Sequence, residues 1–158
     1  MAAEFVFEDE EIRSFFKNLH ANLKGIRNGQ NKFVGLMSSV VFRDVMEHFE
    51  NEEGESGPWQ AWSKVYQKHM NKIGRSGNKK LQFTGRLRNS FQPGKVRKKA
   101  DGLEWFNNAK TKGTSFPYAQ AHDEGGPQLP QREFMWLSEK GAERLSQQML
   151  NFLLEEKA

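Results

Sequence analysis

Hydrophobic positions in the first fifty residues repeat at helical spacing. Ile12, Phe15, Phe16, Leu19 and Leu23 form one stripe, and Phe33, Leu36, Met37, Val40, Val41, Val45 and Phe49 form a second. Glu8 and Asp9 crowd the start of the first helix, where the macrodipole favours negative charge, and Gly25 and Asn28-Gly29 end it. The second helix is expected from about Asn31 to Glu50, with His48 at the boundary of its apolar stripe. A polar, glycine-rich loop, Asn51–Pro58, leads to a third pattern of Trp59, Trp62, Val65, Tyr66, His69, Met70 and Ile73. Pro58 suits the first turn of that helix, and its aromatic residues read as core. Gly74–Lys80 (GRSGNKK) then forms a basic turn.

From Leu81 onward the patterning changes. Leu81–Ser90 (LQFTGRLRNS) reads as a loop followed by one or two helical turns. Its Leu81, Phe83, Leu87 and Phe91 are the side chains expected to tie a helical half to a β half. Val96–Ala100 and Leu103–Phe106, joined by Asp101-Gly102, carry the signature of a tight hairpin, with one cationic and one apolar arm. Asn107–Thr114 is a further loop, Ser115–His122 a strand or bend, and Asp123–Pro127 a turn cluster. Ser138 caps a last amphipathic helix that turns Leu145, Met149, Leu150, Phe152 and Leu153 toward a core. The expected fold is α+β in one domain, residues 1–158. Helices occupy about 9–73, a small antiparallel β-sheet with a long basic hairpin or loop about 81–137, and a C-terminal helix packed on the sheet about 138–155.

Composition sharpens this picture in two ways. The apolar fraction is only 36%, offset by 13 Phe and 4 Trp, so the fold leans on large rings and on a partner or self-association. The absence of Cys excludes disulfides and thiolate metal sites. No apolar run has membrane-spanning length, and the N-terminus is acidic, so a soluble protein made in the cytoplasm is expected. The net charge of +4 conceals a division. Residues 1–63 hold 6 Lys+Arg against 11 Asp+Glu, residues 64–112 hold 14 against 2, and residues 113–158 hold 4 against 7. A basic middle between acidic ends points to a polyanion-facing surface or to packing in which unlike faces meet; the alternative is a solvated lysine-rich region. The basic set is Arg75, Lys79, Lys80, Arg86, Arg88, Lys95, Arg97, Lys98 and Lys99.

Little in the chain points to catalysis. His122-Asp123-Glu124 is the one cluster that invites a metal or hydrolytic reading, but neighbours on an extended segment point to opposite faces. There is no GxSxG turn, no Walker pattern and no histidine pair at helical spacing. The expectation is therefore no enzyme, no catalytic or metal residue and no cofactor. Nucleic-acid contact, if made, is to phosphates and without sequence preference, because no recognition helix, zinc site or aromatic RNP sheet is evident. A free-standing, non-specific DNA-binding module using residues 64–112 is the alternative function on this reading.

Four short blocks then resemble one family. Gly57-Pro58-Trp59 with Trp62-Ser63 and Lys68 looks like the "GW…LS…T…K" segment of the phage virion morphogenesis (tail completion) family of Mu-like and related tailed phages, departing from it at Ala61 and Lys64–Tyr66. Leu81-Gln82, Thr84-Gly85, Leu87-Arg88 and Ser90 resemble its "LQ.TG.L..S" block. Tyr118-Ala119, His122 and Gly125-Gly126 resemble "YA..H..G". Pro130, Arg132, Phe134 and Leu137-Ser138 resemble "PaR.F..LS", with Gln131 where a small residue is usual. The resemblance spans about residues 57–138; the first two helices match only by position and pattern. It implies a non-enzymatic structural protein of the virion neck or tail, assembled in the host cytoplasm. Such a protein completes or terminates the tail, or forms a ring at the head–tail junction. The implied partners are other copies in a hexameric ring, connector or adaptor, tail tube or terminator proteins, and DNA passing non-specifically through the lumen, with no membrane. Trp59, Thr84, Gly85, Tyr118, His122, Gly125 and Arg132 are its structural motif positions. Arg132 is expected to pair with a carboxylate or hold a carbonyl through its planar fork, and His122 to orient a turn.

Overall fold

A computed structural model describes residues 10–29, 31–99, 102–127 and 129–155. Among these residues, six helices and two small antiparallel ribbons give the expected α+β class. Helix α1 (Glu10–Arg27) and helix α2 (Asn31–Asn51) come first. A two-residue ribbon follows, β1 (Glu53–Gly54) against β2 (Gly57–Pro58), and then helix α3 (Lys64–Lys72). A short helix α4 (Arg86–Ser90) precedes the hairpin of β3 (Val96–Lys98) and β4 (Leu103–Trp105). Helix α5 (Tyr118–Glu124) and helix α6 (Glu139–Leu154) complete the order.

Helix α2 is the spine. Its Phe33, Met37, Val40, Val45 and Phe49 recur at three- to five-residue steps and are all buried. The C-terminal half of this stripe, Val45 and Phe49, packs with Trp59, Leu87, Phe91, Ala109, Ala119 and Phe134 in one cluster. The N-terminal half, Phe33 and Met37, packs with Phe152 of α6 in a second. Trp105 of β4 lies against both clusters, and its indole N–H donates to Ser38 Oγ at 2.9 Å. Phe49, Phe91 and Phe134 have no exposed surface. Burial of each contributes about 1.5–3 kcal/mol, which is how a chain so poor in aliphatics builds a core.

The hairpin forms, but two residues away from the register that an Asp101-Gly102 turn implies: Val96 is opposite Trp105, Lys98 is opposite Leu103 and Lys99 N donates to Gly102 O at 2.8 Å, while Ala100 and Asp101 lie outside the described residues. The C-terminal helix packs chiefly on α2 and α1, and meets the hairpin only where Leu103 and Trp105 join the Phe152 cluster. Ser138 caps it as expected, accepting from Gly141 N at 2.9 Å.

Four local expectations are corrected. Pro58 is not at a helix start: it pairs with Glu53 in the ribbon, and α3 begins six residues later behind Ser63, whose hydroxyl accepts from Tyr66 N. Of the aromatic residues read as core Trp59 is buried but Tyr66 is exposed, and Met70 is the buried residue of α3. The stretch 118–124 is helical rather than extended. Apart from these corrections, the stripe of α1 is largely exposed, with Ile12, Phe15, Phe16 and Leu23 at 38%, 48%, 49% and 50%. Residues Glu8 and Asp9, read as its start, lie outside the described residues. Of the four side chains expected to join the two halves, Leu87 and Phe91 are buried and Leu81 packs against them, whereas Phe83 is exposed.

Candidate functional site

The four sequence blocks converge on one side of the molecule. A groove of about 860 Å³ runs between the segment 60–70, the segment 79–87, the start of α5 and the strand-like stretch 129–132. Thr84, Tyr118, His122 and Arg132 all line it, as do Lys79 and Arg86 from the basic set. Trp62, Tyr66, Phe83, Leu129 and Pro130 supply apolar wall. Among the described residues no Asp or Glu lines it, while Lys64, Lys79, Arg86 and Arg132 do.

Arg132 reaches the groove because the chain reverses tightly behind it. Gly125 has φ +72°, a region only glycine enters freely, and a Cβ there would stand 2.8 Å from Gln131 Cβ. This close approach lets Arg132 N donate to His122 O at 2.8 Å, which locks the end of α5 to the 129–134 stretch. Asp123 completes the lock: one carboxylate oxygen accepts from Phe134 N at 2.9 Å and Met135 N at 3.0 Å. Asp123 is thus committed to backbone, Glu124 accepts from Gln120, and His122 turns into the groove. The three do not converge, and no group of three metal-ligating side chains occurs among the described residues.

Arg132 as a whole is 7% exposed. It holds a carbonyl, as expected, donating from Nη2 to Gln60 O at 3.2 Å, and no carboxylate is hydrogen-bonded to it among the described residues. Its Nε and the Nδ1 of His122 have no hydrogen-bond partner there. Burial depresses the pKa of Arg132, with Tyr66 and Glu52 raising it, and an arginine stays charged regardless. Burial, and then the nearby Arg132 charge, push His122 below the ordinary histidine value of 6.5, so its ring is neutral near pH 7.

Trp59 lies behind the groove, its ring edge-on to Phe49 and its indole N–H donating to Glu133 O at 2.8 Å. Gly85, at φ +71°, is the turn that starts α4.

Most of the basic set, Lys79 of the groove included, is neutralised within the chain. Lys79 and Arg88 both reach Glu50 at 2.7 Å, and Lys80 bonds Glu52 at 2.9 Å. Lys79, first through its hydrogen bond, holds the Glu50 carboxyl below its usual range. Partial burial pushes Glu52 up, but the hydrogen bonds and charge of Lys80 outweigh it and leave it lowered. Arg75 covers the Phe83 ring at 4.6 Å and donates to Phe83 O. On the hairpin, Arg97 and Lys99 share Glu104 at 3.9 and 3.1 Å, Arg97 covers Phe106, and the stem of Lys98 lies over Gly29. Lys95 donates to Asn108. The cationic stretch is therefore two separate paired patches, with Arg86 alone of the set standing at the groove mouth without an ion pair among the described residues.

A second polar cluster escaped sequence reasoning. Asp44 and His48, each 1% exposed, sit four residues apart on α2 with Asp44 Oδ2 and His48 Nε2 3.6 Å apart. Asp44 accepts from Ser138 N and Oγ, His48 Nδ1 lies 3.1 Å from Phe134 O, and the His48 ring stacks on Trp136 at 4.3 Å. The legible signal was a carboxylate one turn before a histidine inside an apolar stripe. Its partners are buried protein groups, which makes the cluster a clasp between α2 and the 134–141 stretch.

Fold and groove together define a small α+β protein whose recognisable sequence blocks meet at one concave, cationic surface. The phage virion morphogenesis family matches the chain over residues 7–154, and the chain belongs to that family, one of phage structural and assembly proteins. The match extends well beyond the four blocks and takes in the first two helices. No curated protein and no solved structure matches the chain.

Proposed function

We propose that this is a non-enzymatic virion protein that completes or terminates the tail of a tailed bacteriophage, or forms the neck at the head–tail junction, as a ring of identical subunits. Membership of a virion morphogenesis family supports the assembly role. The observation that carries self-association is the apolar stripe of α1. Ile12, Phe15 and Leu23 stand between 38% and 50% exposed on one helix face, an arrangement that favours a covering partner. A head-to-tail contact that covers this stripe on each copy closes into a ring.

The basic hairpin, Arg97, Lys98 and Lys99, is exposed and available to a lumen or an acidic neighbouring ring. The free-standing DNA-binding reading draws less support, because Lys79, Lys80, Arg88, Arg97 and Lys99 already have carboxylate partners. Light scattering on the purified chain and localisation of the subunit in a reconstruction of the assembled particle test the proposal. A ring seated at either end of the tail is the expected result; a protein absent from purified virions would sink it.

A further inference from the structure

The groove presents cationic and unpartnered groups to which no described residue supplies an anion. Arg132 is more than nine-tenths buried, yet its Nε has no hydrogen-bond partner among the described residues, and Nδ1 of His122 beside it has none either. An unpartnered donor such as Arg132 Nε in a buried site costs free energy that a bound acceptor returns. The mouth is cationic at Lys64 and Arg86, the walls are aromatic at Tyr66 and Phe83, and no acidic side chain among the described residues lines the space. At about 860 Å³ it falls in the roughly 300–1,000 Å³ range of ligand sites. A bare phosphate would use the charge and leave the aromatic walls unoccupied. A peptide with carboxylates set beside aromatic side chains uses both.

We propose that the groove binds an acidic, aromatic-bearing peptide segment, and that the segment is residues 3–9 of a second copy of this chain. That stretch, AEFVFED, places Phe5, Val6 and Phe7 between Glu4 and Glu8-Asp9, which is the complement of apolar walls under a cationic mouth. One carboxylate pairs with the Arg132 fork and completes its hydrogen bonding, and a phenyl ring packs against the aromatic wall. The source of the peptide rests on the self-associating reading above; the chemistry of the groove does not.

Fluorescence anisotropy with a labelled AEFVFEDEE peptide tests the groove. The receptor is the full chain carrying Glu4→Lys, Glu8→Lys and Asp9→Lys, so that its own segment does not compete. Saturable binding is expected, weakened roughly tenfold or more by adding Arg132→Gln or the exposed pair Lys64→Glu and Arg86→Glu, and unchanged by Lys98→Gln on the hairpin. Equal binding of the AQFVFQNQQ peptide, no binding of either peptide, or binding indifferent to both groove variants would overturn it. Light scattering of the full chain then separates the source from the site. Loss of self-association in the triple lysine variant, restored by Lys64→Glu and Arg86→Glu, is expected. Peptide binding by a chain that is always monomeric would overturn the second copy as source. Rings unaffected by any of these changes would overturn the second copy as source while leaving the ring standing.

Discussion

Asp44 holds Ser138 by both its backbone N–H and its hydroxyl, at 2.8 and 2.5 Å, across 94 residues of chain. The same carboxylate fills the space above Gly141, where a Cβ would lie 2.5 Å from either oxygen. Gly141 is therefore required by packing, in a helix where alanine would otherwise be preferred. Gly141→Ala should lower stability by about 1–3 kcal/mol, because the overpacking cost exceeds the helix-propensity gain of roughly 1 kcal/mol. Chemical denaturation of the two proteins checks it. A more stable Gly141→Ala protein would show that α6 docks on α2 differently.

Gly125 makes the complementary case, since its constraint is backbone conformation and contact together. With φ at +72° and Gln131 Cβ 2.8 Å away, Gly125→Ala should cost about 1–3 kcal/mol and loosen the His122–Arg132 hydrogen bond. Faster hydrogen exchange at the Arg132 amide, with Leu87 and Phe91 amides unaffected, is the expected pattern.

Phe15 and Phe16 should behave oppositely. At 48% and 49% exposed they contribute little to the fold of one copy, so Phe15→Ser with Phe16→Ser should leave the unfolding midpoint within about 0.5 kcal/mol of the parent. Self-association, read by sedimentation velocity, should fall sharply. A fully folded variant that assembles normally would remove α1 from the interface.

The protonation of His122 predicts a pH dependence. Its folded-state pKa lies below 6.5 through burial and then the Arg132 charge, so the unfolded chain takes up the proton first as pH falls. The favourable contribution is complete above 6.5 and is lost as pH drops below that value toward the folded-state pKa. Thermal melts of the parent protein should therefore weaken from pH 7 to 5 more steeply than those of His122→Gln. Parallel slopes would show that the ring is not desolvated.

Legibility from sequence followed locality. The α2 stripe, the hairpin (its register aside) and the Ser138 cap depend on residues close in the chain, and each was readable. The α1 stripe was equally regular, but periodicity reports only that a helix has an apolar face, not that its own chain covers it. Tyr118–Glu124 was misread because Pro117 and the following glycines looked like turn punctuation, whereas Ala119, packed into the Phe49 cluster, holds a short helix in place. For the site, Thr84, Tyr118, His122 and Arg132 were picked out as motif positions, but their convergence depends on Gly125 and Asp123 joining α5 to the next strand-like stretch. Pairing of Lys79, Lys80 and Arg88 with Glu50 and Glu52 was invisible for the same reason: those partners lie about thirty residues or more upstream.

The docking of α6 on α2 and α1 also imposes an order on synthesis. Phe33 and Met37 find their buried partner Phe152 only once residues 139–154 have emerged, and Asn22 reaches the Leu153 and Glu155 carbonyls later still. Phe49, by contrast, is packed by groups ending at Phe134. The half of the molecule that carries the groove can thus mature first, while the front of α2 waits with its apolar face open. A ribosome-bound chain stalled before residue 139 therefore exposes apolar surface that the finished subunit buries.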